Sequence, residues 1–186
     1  MALFTGKGDK GTTKLFDSEP GKRVSKASCR TEALGACDEI NSFLGLCKVK
    51  AKDSRLKLKG VWVADIVDQV QQSLFIIQAE LAGAGKSITE EKVKNMEALI
   101  NIIEQEMPPI KTFFVSGGTE FASLFDIART IARRTERTVI GGIDEGEVDL
   151  SQWSLAYLNR LSSLLYAFAR FSNHKFGIKE DPPKYE

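Results

Sequence analysis

The sequence predicts an all-α protein, a single antiparallel bundle of five helices. Three observations carry that expectation. Apolar residues recur at helical spacing over most of the chain, Gly and Pro pairs interrupt them, and no stretch alternates apolar and polar residues as a half-buried strand does. With 186 residues there is room for one sizeable core, and no change of composition marks a second domain, so residues 1–186 read as one domain.

Each element has its own signal. Residues 1–24 are polar and glycine-rich and read as a flexible loop. Leu34, Cys37, Phe43, Leu44 and Cys47 give a first helix, around Cys29–Lys48, with one buried side. Val63, Ile66, Val67, Val70, Leu74, Ile77 and Leu81 give a second, from Trp62 to Ala82, stopped by Gly83 and Gly85. Thr89 caps a third, with Glu90 and Glu91 in its first turn and an apolar set of Val93, Met96, Leu99, Ile100 and Ile103. Pro108-Pro109 ends it ahead of Phe113. A fourth runs from about Gly118 to Ile140, closed by Gly141-Gly142, and a fifth from about Leu150 to Phe176, opened by Asp149 or Ser151. Residues 178–186 are a polar tail with Pro182-Pro183. No segment reads as a convincing strand.

Composition narrows the function. A net charge of +1 gives no broad basic field to hold nucleic acid. No apolar run approaches the roughly 20 residues that cross a bilayer, and the start lacks a signal-peptide core, so no membrane association and a cytoplasmic location are expected. Cys29, Cys37 and Cys47 fit no zinc spacing, and His174 is the single histidine. A metal site, a Ser-His-Asp triad or a Cys-His pair therefore lacks material, and the nucleophile of any reaction is expected to come from the substrate.

The chemistry concentrates in two places. Arg129, Arg133 and Arg137 stand four residues apart, so they line one stripe of the fourth helix, with Arg134 and Glu136 beside them. Stacked guanidiniums repel one another, and folding does not ask for them; bound phosphates or carboxylates neutralise them and match their planar forks. Far away in sequence, Thr5–Thr13 (TGKGDKGTT) supplies glycines, lysines and hydroxyls suited to an anion cradle. It is not a P-loop, because Thr12 stands where that motif needs Lys. Residues 83–87 end like a P-loop, but Glu80 replaces the first Gly and a helix precedes them, so they read as a helix C-terminal turn. Asp38 lies beside Leu34, Cys37 and Asn41 on the apolar side of the first helix and needs a partner, either a cap or water, or an arginine of the stripe. Asn159 in the fifth helix is either a satisfied buried amide or a reader of a nucleotide ring or ribose. Arg160 and Arg170 read as surface or interface charges.

Four stretches in order resemble the ATP:cob(I)alamin adenosyltransferases of the propanediol-utilisation type: TGKGDKGTT, RVSKASCRTEALGACDEINSFLG at 23–45, FFVSGGTEFASLFDIARTIARRTER at 113–137 and YLNRLSSLLYAFAR at 157–170. The resemblance implies a five-helix bundle assembled as a homotrimer with sites between subunits. It implies transfer of the 5′-deoxyadenosyl group of ATP, with Mg²⁺, to cobalt(I) of cobalamin, leaving triphosphate. A reductase and an adenosylcobalamin-dependent acceptor enzyme are the implied partners. Thr5, Gly6, Lys7, Gly8, Thr13, Lys14, Lys26, Arg133, Arg134, Glu136, Arg137 and Asn159 match ATP-binding positions. Asp38 and Arg129 match an ion pair across the subunit interface, and Phe113 matches an aromatic that occupies the lower corrin face and keeps the axial base away. Four features depart from the family pattern: Phe4-Thr5-Gly6-Lys7 shifts the first lysine by one, Ser116 replaces the usual Pro before Gly117-Gly118, Asp126 stands where His is common, and Ser163 where Asp is common. The rival readings are a corrinoid or nucleotide carrier without turnover, and a P-loop phosphotransferase.

Overall fold

Ser28, Thr89, Thr119 and Ser151 each accept a hydrogen bond from the backbone N–H three residues on, and each opens a helix. These are α1 (Cys29–Ser54), α3 (Glu90–Gln105), α4 (Glu120–Asp144) and α5 (Gln152–Lys175). The remaining helix, α2 (Val63–Leu81), has no side-chain cap; the Val63 N–H is satisfied by the Leu56 carbonyl instead. A computed structural model describes residues 3–185; Met1, Ala2 and Glu186, at the outer ends of the predicted loop and tail, lie outside the described residues.

The cross-helix bonds fix directions. Lys50 pairs with Glu120 and the Thr135 hydroxyl donates to the Ala36 carbonyl, so α1 and α4 run antiparallel. Arg30 at the start of α1 donates to the Leu81 carbonyl at the end of α2, which makes that pair antiparallel too. Thr119 at the start of α4 bonds Asn173 near the end of α5, so these run oppositely as well. One neighbour relation differs: Glu97 meets Arg160 and Glu106 meets Lys175, so α3 lies beside α5 in the same direction. The crossing from α2 to α3 over residues 82–89 and the long return over 106–119 allow this.

Several boundaries differ from the sequence reading. α1 continues past Lys48 to Ser54, because Ala51 still packs in the core, and stops only where Arg55 turns left-handed at φ 51°. α4 runs through Gly141-Gly142 to Asp144. Gly142 is not a stop: a Cβ there would lie 2.6 Å from Val148, so the glycine admits a close neighbour. Two short ladders went unpredicted. β1 (Thr12–Thr13) pairs antiparallel with β2 (Val24–Ser25), and β3 (Lys57–Leu58) forms a hairpin with β4 (Val61–Trp62). Two-residue strands carry no periodicity to read. The core follows the predicted apolar stripes, with Phe121 edge-on to Phe125 and Phe125 tilted against Phe168 between α4 and α5.

Candidate functional site

The arginine stripe occupies the middle of α4, between the cleft at Phe113 and the end of the helix that meets α1. α4 rises about 1.5 Å per residue, so Arg129 and Arg137 are separated by roughly 12 Å along its axis. Arg129 faces a cleft of about 960 Å³ that Arg133, Phe113, Phe114, Ser162, Ser163 and Tyr166 also line. Phe113 is 75% exposed at this cleft, so it is not a core plug. Burial raises the Tyr166 phenol above its ordinary pKa and keeps it a donor. Arg133 and Arg137 are exposed, and among the described residues neither has an ion pair.

At the other end of the stripe sits the base of the N-terminal loop. A Cβ on Gly142, beyond Arg137, would lie 3.6 Å from that of Cys29, so the start of α1 meets the end of α4. The loop is rooted at that end of the bundle. Leu15 is buried, the Phe16 N–H donates to the Ala82 carbonyl, and Arg30 pairs with Asp17 at 2.7 Å. Above this root the Lys26 N–H donates to the Gly11 carbonyl, and Arg23 bonds both the hydroxyl and carbonyl of Thr12. Gly6 and Gly11 adopt φ 66° and 73°, a region that glycine enters without strain. Gly8 lies beneath Lys26, whose Nζ would be 3.0 Å from a Cβ there. Thr5, Gly6, Lys7, Lys14 and Lys26 are exposed, and Gly8 and Thr13 half-buried. Among the described residues no hydrogen bond or ion pair joins residues 3–26 to α4. One chain thus places the two halves of the predicted anion site at one end without joining them.

Other candidates stand differently from their sequence reading. Asp38 is exposed, not buried, and has no ion pair among the described residues. The buried stripe of α1 is Ala33, Cys37, Ile40, Asn41, Leu44, Cys47 and Ala51, and Asp38 lies one residue, about 100°, past Cys37. Asn159 is exposed too; its amide donates to Glu136 at 2.7 Å, which ties α5 to the flank of the stripe. Arg134 is already engaged, with Nη2 2.6 Å from both Glu39 oxygens. Burial pushes the Cys37 and Cys47 thiols up to about 12, so both stay neutral packing groups.

Arg170 is the largest correction. It is 2% exposed rather than a surface charge, and its Nη2 donates to Asp126 at 2.6 Å. Its other branch meets Glu180 at 3.0 Å, so the predicted polar tail begins as a docked segment. A signal was present: Arg170 sits in the run Ala167-Phe168-Ala169-Arg170-Phe171, and Asp126 between Phe125 and Ile127. A charge inside an apolar run needs an opposite charge inside another.

The model of the cobalamin adenosyltransferase family matches residues 3–172. The corrinoid adenosyltransferase PduO of Citrobacter freundii is 36% identical over 181 residues, which cover 94% of this chain and 50% of that protein. The chain therefore spans about half the length of that relative. A corrinoid adenosyltransferase of Bacillus subtilis is 37% identical over 185 residues, covering 96% of this chain and 90% of that one. Among solved structures, a variant of the PduO-type ATP:corrinoid adenosyltransferase from Lactobacillus reuteri, complexed with cobalamin and ATP, superposes with a TM-score of 0.86. It is 28% identical, and the match covers 98% of this chain and 99% of that one.

Proposed function

We propose a function from one premise: this chain belongs to the cobalamin adenosyltransferase family. It transfers the 5′-deoxyadenosyl group of ATP to cobalt(I) of a corrinoid. The observation that carries the reading is the line of Arg129, Arg133 and Arg137, which runs from the Phe113 cleft toward the root of the glycine-rich loop. In the reaction a cobalt–carbon bond forms at C5′, the C5′–O bond breaks, and triphosphate leaves with the electron pair. Arg133, Arg137 and the loop lysines hold the charge that develops on that leaving group. Thr5, Gly6, Lys7, Gly8, Thr13, Lys14 and Lys26 form the cradle, Arg134 flanks it, and Glu136 orients Asn159 toward the nucleoside. Phe113 presents an apolar ring to the lower face of the corrin and excludes the axial base and water.

Among the described residues no group of three His, Cys, Asp or Glu side chains converges as a cation site. Mg²⁺ fits instead as a passenger on the triphosphate, with hydroxyls such as Thr5 and Thr13 as oxygen donors, and it would supply charge neutralisation there.

The working unit is a homotrimer in this reading. Its support is that, among the described residues, one chain leaves Asp38, Arg133 and Arg137 without ion pairs and does not join its loop to its stripe. Val49, 54% exposed, lies three turns along the face of α1 that carries Asp38, as an interface position would. Arg129 then pairs with the Asp38 of a neighbouring subunit. Residues 1–186 act as one domain in which Thr5–Thr13 orders when ATP arrives. A reductase supplies the electron for cobalt(I), and an adenosylcobalamin-dependent enzyme accepts the product. Among the described residues no helix is long and apolar enough to cross a membrane, and we place the protein in the cytoplasm.

The test is anaerobic incubation with ATP, cob(II)alamin and a reductant, following the cobalt–carbon product and the phosphate product together. Adenosylcobalamin with triphosphate is expected. Release of ADP or of pyrophosphate as the direct product overturns displacement at C5′, and tight binding of both substrates without product favours a carrier.

A further inference from the structure

The segment that carries Phe113 has little packing of its own. It is held by three backbone bonds near its end. The Gly117 N–H donates to Asp126 Oδ2 at 3.3 Å, the Gly117 carbonyl accepts from Asn173 at 2.8 Å, and the Val115 N–H donates to the Asp181 carbonyl at 3.0 Å. The same Asp126 oxygen accepts from Arg170 at 2.6 Å. Glu180 closes the circuit, bonding Arg170 at 3.0 Å and the Asn173 amide at 2.6 Å.

The second oxygen of Asp126 is the telling atom. Oδ1 is buried and has no hydrogen bond among the described residues. It lies 3.8 Å from Arg129 Nε, an ion pair too long for a hydrogen bond, and that buried Nε too has no hydrogen bond among the described residues. One carboxylate thus holds the Phe113 segment through Oδ2 and faces Arg129 through Oδ1. Packing does not require this, because apolar residues of similar volume often replace a buried ion pair at no loss of stability. A fixed direction for two groups at one cleft does require it.

We propose that Asp126 is a positioning residue: it sets the Phe113 segment and aims Arg129 at the same cleft, with Glu180 of the C-terminal segment completing the clamp through Arg170. The proposal rests on the adenosyltransferase reading for its consequence in turnover, but the clamp itself is measurable without turnover.

Three variants of the full chain test it: Asp126→Asn, Glu180→Gln, and the double change Asp126→Leu with Arg170→Met, which keeps the volume filled and removes the charges. The first readout is amide hydrogen exchange of residues 110–118 in the ligand-free protein, against exchange in α2 as the internal control. The clamp predicts faster exchange in all three variants with α2 unchanged. The second readout separates the substrates. In Asp126→Asn, kcat/KM for the corrinoid falls about tenfold, the equivalent of one lost hydrogen bond to a charged group, while KM for ATP stays within about twofold. The third is the four-coordinate cobalt(II) signal in electron paramagnetic resonance with ATP bound, which falls in the double variant at an unchanged melting temperature. A folded double variant with the exchange, the corrinoid kinetics and the cobalt(II) signal of the parent overturns the proposal. Should the parent bind ATP and cobalamin without making adenosylcobalamin, the enzymatic reading falls, and the exchange data still decide the clamp.

Discussion

Replacing Phe113 by Ala separates a site residue from a packing residue. A fully buried Phe truncated to Ala costs about 3–5 kcal/mol. Phe113 is 75% exposed, so a quarter of that burial is at stake and the loss is about 1 kcal/mol. For a domain of this size that lowers Tm by about 2–4 °C. ATP affinity should hold, because Phe113 adjoins the Arg129 end of the stripe and the loop root lies beyond the Arg137 end. The four-coordinate cobalt(II) signal and turnover should both drop sharply, since a methyl group in place of the ring is too small to exclude the axial base. Phe113→Trp should retain more of both, because a bulky apolar ring remains. The assays are thermal melting, ATP titration, electron paramagnetic resonance of cob(II)alamin with ATP, and steady-state turnover. A fall in Tm beyond about 10 °C, together with a preserved four-coordinate signal in the folded protein, refutes the reasoning and makes Phe113 a stability residue.

The other expectations use the same geometry. Arg133→Ala should lower kcat/KM for ATP about tenfold to a hundredfold, the worth of a guanidinium–phosphate contact, with no loss of Tm because the residue is exposed and unpaired among the described residues; equal kinetics would make it a solvated charge. Asp38→Asn and Arg129→Ala should each impair corrinoid adenosylation, and their combination should be little worse than either; additive losses in the double-mutant cycle would uncouple them and with them the interface pair. Iodoacetamide at pH 8 should label Cys29 alone in the native protein and all three cysteines after denaturation, since burial holds Cys37 and Cys47 near 12; rapid native labelling of either shows that α1 opens locally.

The helices were legible because each carries an apolar stripe and, α2 excepted, a hydroxyl cap. Thr89 marks its start in the sequence as plainly as in the structure, and of the two openings the sequence offered for α5, Asp149 or Ser151, the structure uses Ser151. The ends were less legible, since a glycine has two uses that look alike in one dimension. Gly83 does end α2, at φ 88°, whereas Gly142 sits inside α4 to let Val148 approach. The arginine stripe could be read because its period is local. The apolar runs around Asp126 and Arg170 signal that each is buried, but local pattern does not join them to each other or to Glu180, because the first pair lies 44 residues apart and the three stand on three segments. Asp38 was misplaced for the opposite reason: it neighbours the buried stripe in sequence, and a 100° step turns it outward.

The placement of the two anchored loops explains why the stripe has three arginines and not one. The N-terminal loop is rooted where α1 begins and α4 ends, and the Phe113 segment is clamped where α4 begins and α5 ends. In the proposed reading the nucleotide runs along α4 from the Phe113 cleft toward Arg137, whichever subunit supplies the loop. In-line displacement needs the attacking metal and the departing oxygen on opposite sides of C5′. A straight helix meets that demand by rigid spacing: Arg133 stands about 6 Å along the axis from each of its neighbours. In that reading the middle guanidinium is the one nearest the bond that breaks, and Arg137 would face phosphate charge that is present before and after. Charge that appears only in the transition state is what lowers a barrier. Loss of Arg133 should therefore fall chiefly on kcat and loss of Arg137 chiefly on KM for ATP. The reverse pattern would mean that the nucleotide lies across the stripe instead of along it.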